Sequence, residues 1–250
     1  MGLIHTMHAL EVLFAFASVI AGAVATLAGF GIGSILTPLL AWNTGTRMAV
    51  AVIAIPHFAA TLVRFWIVRR SVDRGVLLQF GLASAVGGLI GATLHAQLHS
   101  AALSLVFGSL LVFAGFMGMT GLTRKMRFDG KGAWIAGVAS GGFGGLVGNQ
   151  GGIRSAALMG FNLSKESLIA TATAIGVIVD LVRLPVYFAS QFYLLVSSWR
   201  WMLIGCIGVL LGTWIGMRFL RGISENVFRP LLGAFILALG IYMLFPHVDL

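Results

Sequence analysis

Long stretches of this chain contain no charged residue. The gaps between Glu11 and Arg47 and between Arg74 and Arg124 each exceed the roughly 20 apolar residues that span a bilayer. The second gap is long enough for two crossings. A membrane β-barrel would instead show segments of about 10 residues in which apolar and polar positions alternate. The continuous runs therefore predict an all-α polytopic membrane protein.

Charges, turn residues and run length divide the chain into about eight transmembrane helices. We place these near residues 10–43, 48–68, 75–95, 101–121, 132–160, 166–188, 200–218 and 228–246. The composition agrees, because 59% of the residues are hydrophobic and 9% are charged, whereas about 25% are charged in a soluble domain. We expect a multi-pass protein of the cell membrane, which is the inner membrane in a Gram-negative bacterium.

The chain also carries an internal repeat. At a shift of 119 residues, Gly29, Gly33, Leu39, Asn43, Ala51, Leu62, Val63 and Arg64 coincide with Gly148, Gly152, Leu158, Asn162, Ala170, Leu181, Val182 and Arg183. At a shift of 121 residues, Gly87, Gly91 and Phe107 coincide with Gly208, Gly212 and Phe228. The repeat predicts two homologous four-helix halves, residues 1–125 with a cytoplasmic linker from about 122, and residues 126–250. An even number of spans in each half implies parallel repeats about an axis along the membrane normal.

Basic residues lie in clusters between the apolar runs. Segments 69–74 and 124–131 are rich in Arg and Lys, whereas 95–100 contains neither, so the first two are predicted to be cytoplasmic. With eight spans, both termini would also be cytoplasmic. A third cluster would then lie outside, unless a Gly-rich segment is re-entrant: Arg218, Arg221 and Arg229. Because the net charge of +9 is distributed over such loops, we expect no nucleic acid partner.

Each half begins with a glycine-dense stretch inside a predicted span. Glycine weakens a helix by about 1 kcal/mol relative to alanine, so these stretches are predicted to break it. The half-helix after a break would direct free N–H groups and its dipole at a cavity, which favours an anion. The alternative is that the glycines only allow close helix packing, which we expect for Gly87, Gly91, Gly208 and Gly212. The candidate substrate-binding residues are Gly29, Gly31, Gly33, Ser34, Thr37, Gly148, Asn149, Gln150, Gly151, Gly152, Arg154 and Arg183.

Three ionisable residues, Arg64, Asp180 and Arg183, fall inside predicted spans, where each charge costs about 2.5–3.5 kcal/mol on insertion scales. Asp180 and Arg183 are three residues apart and can form an ion pair. Alternatively, Arg183 faces the cavity and contacts the anion, and Asp180 carries a coupling proton. His57 is a second proton-coupling candidate, with a packing role as its alternative. Arg64 is expected to extend to the headgroups.

Motifs for other kinds of chemistry are missing from the sequence. His95 and His99 have the spacing of metal ligands on a helix, but no Cys, Asp or Glu lies near them in sequence. Nucleotide-binding loops, nucleophile elbows and zinc-protease motifs are also absent. We therefore predict no metal, no cofactor and no enzymatic activity. The expected partners are a small anionic substrate and the lipid bilayer, and the sequence leaves open whether the chain forms a homo-oligomer.

The glycine motifs resemble those of one known family, the TauE/SafE-type sulfite exporters, also called the toluene sulfonate uptake permease family. The residues that carry the resemblance are Gly29-Phe30-Gly31-Ile32-Gly33-Ser34, Thr37-Pro38-Leu39-Leu40 and Gly148-Asn149-Gln150-Gly151-Gly152. The resemblance implies a secondary carrier or exporter of small anions such as sulfite, sulfonates or related organosulfur compounds. The sequence departs from the pattern at Ala157, which pairs with Pro38, and at Asn149 and Gln150. An anion channel, a non-transport membrane subunit and a membrane enzyme are the alternatives.

Overall fold

A computed structural model describes residues 2–29, 31–122, 130–149, 151–161, 163–219 and 225–245. These residues form helices and short connections, and none of them lies in a strand. The helices are α1 (Gly2–Ala28), α2 (Ile32–Thr44), α3 (Thr46–Val68), α4 (Arg74–Val76), α5 (Leu82–Gln97), α6 (Ser100–Thr120), α7 (Gly130–Val147), α8 (Gly151–Leu158), α9 (Lys165–Ser197), α10 (Trp199–Phe219) and α11 (Glu225–Leu244). A 3-10 turn, Arg69–Ser71, follows α3, and a π-helical segment, Leu77–Gly81, joins α4 to α5.

The prediction of an all-helical membrane protein is confirmed. Within the described part of the chain, six helical segments are long and apolar enough to cross a membrane: His8–Ala28, Thr46–Ser71, Arg74–Gln97, Ser100–Thr120, Lys165–Ser197 and Trp199–Arg218. A shorter apolar stretch, Pro230–Leu244, lies in α11. Two of the eight predicted spans, 10–43 and 132–160, are each divided into a longer and a shorter helix.

Both divisions occur at glycines with positive φ, a backbone conformation that side chains disfavour. The φ angle is 133° at Gly31 and 72° at Gly148. A Cβ added to Gly31 would lie 3.1 Å from the side chain of Val24, seven residues earlier, whereas in a continuous helix those residues would be about 10 Å apart along the axis. The chain therefore turns back on itself, and α2 runs against the direction of α1.

The first helix of each half packs parallel to a helix of the other half. Along α1 and α10, Phe14 makes an edge-to-face contact with Trp201, and Ala23 packs against Gly216. Along α5 and α7, Ser84 packs against Gly141 and Ala92 against Gly145. Residue numbers rise together in both pairs, so both pairs are parallel.

Glycines let these parallel helices approach closely, as we expected for the four glycines of the second repeat shift. A Cβ on Gly91 would lie 2.7 Å from the backbone nitrogen of Leu146, and a Cβ on Gly212 would lie 2.9 Å from the nitrogen of Ala23. Any larger residue at these positions would force the helices apart, which is the role of small residues in membrane helix packing.

Two other pairs of helices from different halves are antiparallel. Along α3 and α9, His57 bonds to Asp180 and Thr61 packs against Gly176, so one number falls as the other rises. Along α6 and α11, the stretch near Gly108 packs against Gly240 and the stretch near Gly115 against Gly233. Each half therefore contributes equivalent helices to every one of these pairs.

These contacts fix the direction of the repeat. Helices α1 and α3 run the same way, because Phe14 and Pro56 both pack against Gly205, and Arg64 reaches Ala25 further along. Helix α3 runs antiparallel to α9. Helix α9 runs parallel to α5, as its contacts with Gly81 and Gly88 show, and α5 runs parallel to α7. Helices α1 and α7 therefore point in opposite directions. The predicted parallel repeat about the membrane normal is wrong. The halves are inverted, because α2 turns the chain back once within the first half, so five helical segments of alternating direction (α1, α2, α3, α5 and α6) precede α7, and α8 does the same in the second half.

The inverted arrangement places the basic clusters together. One face of the molecule contains the ends of α3 and α10 and the starts of α4, α7 and α9. This face carries Arg69, Arg70, Arg74, Lys131, Lys165 and Arg218. We call this the basic face. The opposite face carries Arg47 and Arg200, the latter paired with Glu11 at 3.5 Å. Of the third basic cluster, Arg218 lies at the basic face, whereas Arg221 and the predicted boundary at residues 125 and 126 lie outside the described residues.

The same directions change the expectation for the chain ends. Phe14 in the first half of α1 packs against Trp201, near the start of α10, and α11 ends beside Trp42, near the end of α2, where Tyr242 stacks on it at 5.5 Å. Both contacts lie toward the opposite face. If the basic face is cytoplasmic, α1 begins and α11 ends on the other side of the membrane, contrary to the expectation of cytoplasmic termini.

Candidate functional site

The two breaks meet in the centre of the molecule. A Cβ on Gly33, in the first turn of α2, would lie only 2.8 Å from the carbonyl oxygen of Gly148. Helix α2 starts without a side-chain cap, so N–H groups of its first turn have no such partner. The positive end of the α2 dipole thus lies next to the break between α7 and α8.

A small cavity opens at this meeting point. The enclosed space measures about 10 Å³, which is room for roughly one water molecule, so the cavity in this form suits only a small ligand group. The lining residues come from both breaks and from α3: Gly31, Gly33, Ser34, His57, Gly148, Asn149, Gly151 and Arg154. Seven of these were among the predicted substrate-binding residues and the eighth, His57, was a predicted proton-coupling residue.

Arg154 provides the positive charge of the cavity. Its side chain is only 5% exposed, and neither Nε nor Nη1 has a hydrogen-bond partner among the described residues. The guanidinium group packs against Gly176, where an added Cβ would lie 3.1 Å from Nη1. Buried cations in membrane helices are normally paired. An unpaired one that faces a cavity is therefore positioned to receive an anion.

Two neutral polar side chains accompany Arg154. Ser34, in the first turn of α2, is 3% exposed, and Asn149, between α7 and α8, is 8% exposed. Their hydroxyl and amide groups can donate hydrogen bonds into the cavity. The lining thus combines a guanidinium, an amide, a hydroxyl and helix N-terminal N–H groups, all of which are donors suited to an oxyanion.

A chain of charged groups leads away from the cavity through His57. Its Nδ1 atom lies 2.7 Å from Oδ2 of Asp180. The other carboxylate oxygen, Oδ1, accepts from Arg183 at 2.9 Å from Nε and 2.8 Å from Nη2. The structure therefore brings both proton-coupling candidates into direct contact, with His57 at the cavity and Asp180 completely buried behind it.

Arg183 occupies a different place from the one we predicted. It does not line the cavity but lies behind Gly148, and its Nη1 donates to the carbonyl of Gly144 at 3.0 Å. With Asp180 holding Nε and Nη2, each nitrogen of the guanidinium group already has a protein partner. The sequence could not distinguish this arrangement, because it did not show which face of α9 points at the cavity.

The repeat partner of Arg183 has the same geometry. Arg64 donates from Nη1 to the carbonyl of Ala25 at 2.6 Å and from Nη2 to Thr61 at 3.2 Å. The residues that accept these hydrogen bonds also match under the 119-residue shift. Ala25 corresponds to Gly144, and Thr61 corresponds to Asp180. Each arginine therefore caps the end of the helix before a break, and Arg64 does not extend to the headgroups as expected. The matched Leu-Val-Arg triplets were the sequence signal for this shared role.

Two further side chains cap the end of α7, and sequence reasoning missed both. The Tyr187 hydroxyl donates to the carbonyl of Gly145, and His95 Nδ1 lies 2.8 Å from the carbonyl of Leu146. Together with Arg183, they hold three consecutive carbonyls just before Gly148. Unpaired C-terminal carbonyls are costly away from water, so these contacts stabilise the second break.

The other predicted site residues lie near the cavity without lining it. Gly29 has a φ of 78° at the first break, Thr37 is buried within α2, and Gly152 belongs to α8. Gln150 lies outside the described residues.

Broken helices that meet at a central cavity, with helices of opposite direction around them, are features that many membrane transporters share. Comparison with known families gives the particular group: the sulfite exporter TauE/SafE family matches residues 14–243, so the chain belongs to that family of membrane anion transporters. Searches for similar curated proteins and for similar solved structures returned no match.

Proposed function

We propose that this protein is a secondary carrier that exports a small oxyanion, such as sulfite or a small sulfonate, from the cytoplasm. The observation that carries the proposal is Arg154, a buried guanidinium group without a partner for Nε and Nη1 among the described residues, at a cavity lined by both helix breaks. Family membership supports transport of small anions, and the cavity supports a compact substrate.

The binding free energy would come from charge-assisted hydrogen bonds. A hydrogen bond to a charged group contributes about 1.5–3 kcal/mol, and Arg154 offers at least two unpaired donors. Ser34 and Asn149 would take the remaining oxygens of the anion. A tetrahedral or pyramidal oxyanion presents three oxygens in different directions, which matches donors that arrive from α2, α8 and the connection before α8.

Proton coupling would pass through His57 and Asp180. His57 lines the cavity, and its Nδ1 atom is hydrogen-bonded to Asp180. A proton taken up at the imidazole would therefore stay beside both the bound anion and the carboxylate. Histidine changes its charge near neutral pH. Bound anion and protonated His57 would then stabilise each other, which is the coupling that a proton-linked carrier requires.

The proposed membrane arrangement has eight crossing helices. Besides the six long segments, α7 with 18 residues and α11 with 20 residues reach about 27 and 30 Å, close to the thickness of the hydrocarbon core. Helices α2, with 13 residues, and α8, with 8 residues, are too short to cross and return the chain within the membrane. The positive-inside rule puts the basic face in the cytoplasm of the cell.

Uptake and counterflow in proteoliposomes test the proposal. We expect saturable uptake of labelled sulfite that is accelerated by unlabelled sulfite trapped inside the vesicles, because a carrier exchanges its substrate. An anion channel would show no acceleration by trapped substrate. Loss of the acceleration for sulfite and for every sulfonate tried, in a protein that is correctly inserted, would contradict the carrier proposal.

A further inference from the structure

One face of α9 is polar along much of its length. Asp180, Arg183, Tyr187 and Gln191 are separated by three, four and four residues, which places them in one row on a helix. All four are buried, with at most 4% of each side chain exposed. A buried polar row is unusual in a membrane protein, where intramembrane polar groups mark the routes of ions and substrates.

The row leads from the cavity toward the opposite face. Helix α9 begins at Lys165 on the basic face, so rising residue numbers run away from that face. Eleven residues separate Asp180 from Gln191, which corresponds to about 16 Å of helix, or half of a hydrocarbon core of about 30 Å. The row therefore spans the distance that a substrate leaving the central cavity would have to cover.

The row ends at an irregular point of the helix. Gln191 has φ −138° and ψ 30°, outside the helical region. Its side chain is 4% exposed, and neither its amide nitrogen nor its amide oxygen has a partner among the described residues. Leaving a buried polar group unsatisfied costs about 1–3 kcal/mol, so packing alone gives no reason for a glutamine here.

Facing helices add polar groups to the same region. The His95 ring lies 4.6 Å from the Tyr187 ring, and its Nε2 has no partner in the described part of the chain. Arg47, at the opposite face, donates to the carbonyl of Ala96 at 2.7 Å, while its Nε is unpaired among the described atoms. Four unpaired polar atoms thus occur between the middle of α9 and Arg47.

We propose that this polar column, formed by Arg183, Tyr187, Gln191, His95 and Arg47, is the outer half of the anion's route. It rests on the proposed carrier function and would accept the same hydrated small oxyanion. Arg183 stands at its inner end and Arg47 at its outer end. The column is closed in this structure by the bonds from Arg183, Tyr187 and His95 to the carbonyls that end α7, so release of those three bonds would open it.

Thiol labelling tests the route without relying on sulfite transport. Cys206, the single cysteine of the chain, is first replaced by serine, and all further variants are made in this Cys206→Ser background. Gln191→Cys is then compared with Ser190→Cys, because Ser190 is the adjacent residue but is exposed on the outer surface of the helix bundle. The probe is a membrane-impermeant, anionic methanethiosulfonate that carries a sulfonate group.

We expect Gln191→Cys to react at least about tenfold faster than Ser190→Cys, since only a thiol in contact with water ionises readily. Sulfite should slow the reaction. If sulfite is transported but the two variants react equally slowly, the outer route is wrong and the carrier function stands. If Gln191→Cys reacts fast but sulfite is neither carried nor protective, the column is a water route and the anion assignment fails.

A second variant covers poor insertion of Gln191→Cys. Gln191→Leu keeps the side-chain size and removes both polar atoms. We expect it to bind sulfite with a Kd within about twofold of the wild type while transport slows at least tenfold, because a desolvated barrier raises the energy of the moving ion but not of the bound one. Wild-type transport rates in Gln191→Leu would overturn the proposal.

Discussion

Replacing Arg154 by glutamine should separate function from stability. The substitution removes the positive charge and at least one of the two unpaired donors, Nε and Nη1, and keeps a polar side chain of similar length. If the anion accepts two charge-assisted hydrogen bonds from Arg154, their loss weakens binding by about 3 kcal/mol, or roughly 100-fold in Kd. Sulfite binding by calorimetry and sulfite counterflow measure this loss.

The same substitution should leave the fold intact. An intramembrane arginine costs about 2.5–3.5 kcal/mol on insertion scales, and Arg154 recovers little of that cost from protein partners. Thermal unfolding in detergent should therefore show an unchanged or higher Tm for Arg154→Gln. Arg183→Gln is the matched control, because it breaks a buried ion pair with Asp180 and should destabilise by about 3–5 kcal/mol.

Two results would refute this reasoning. A wild-type Kd in Arg154→Gln would remove the residue from the binding site. A fall in Tm as large as that of Arg183→Gln would show that Arg154 is held by the fold, and that its unpaired nitrogens carry no functional meaning.

The remaining predictions concern the break, the proton and the topology. Gly33→Ala should slow transport strongly, since its Cβ would lie 2.8 Å from the Gly148 carbonyl. Gly29 has open space around it but a φ of 78°, so Gly29→Ala should cost only about 1–2 kcal/mol of stability. Equal transport by the two variants would contradict the contact between Gly33 and Gly148. His57→Gln should still exchange sulfite but no longer acidify or alkalinise the vesicle lumen, as read by a trapped pH dye; unchanged proton movement would exclude His57. In the Cys206→Ser background, cysteines at Ser71 and Lys131 should react from the cytoplasmic side and one at the exposed Ser197 from the other; any other pattern would contradict the inverted halves.

The sequence predicted the helical class and the two breaks because both depend on composition. Continuous apolar runs long enough to cross a bilayer form helices. A local density of glycines high enough to break a helix can be read directly from the sequence. Gly29 and Gly148 indeed match under the repeat and both adopt positive φ. The donors Ser34, Asn149 and Arg154 were predicted with them because they follow the breaks directly in sequence.

The orientation of the halves could not be read in the same way. Whether the chain continues or turns back at Gly31 depends on its φ and on contact with Val24, which the residue types do not encode. One reversal in each half changes a parallel repeat into an inverted one. The charge of Arg218 held the missing information, since only the inverted arrangement puts this residue with the other basic clusters.

The roles of the intramembrane arginines were hidden for a related reason. Arg154 and Arg183 both follow from sequence as candidates, but their partners come from distant helices. Asp180 and Gly144 accept hydrogen bonds from all the nitrogens of the Arg183 guanidinium group. Gly176, by contrast, packs against the Arg154 guanidinium group without accepting a side-chain hydrogen bond. Long-range contacts of this kind decide which cation is free, and no local pattern reports them.

The most direct test of the account is a structure of the protein with selenite, a heavier analogue of sulfite whose anomalous scattering identifies it. We predict one selenium peak in the central cavity, with its oxygens within hydrogen-bonding distance of Arg154 Nε or Nη1 and of the first turn of α2. A peak bound to Arg183, a peak outside the cavity, or an empty cavity at selenite concentrations that inhibit sulfite transport would contradict the account.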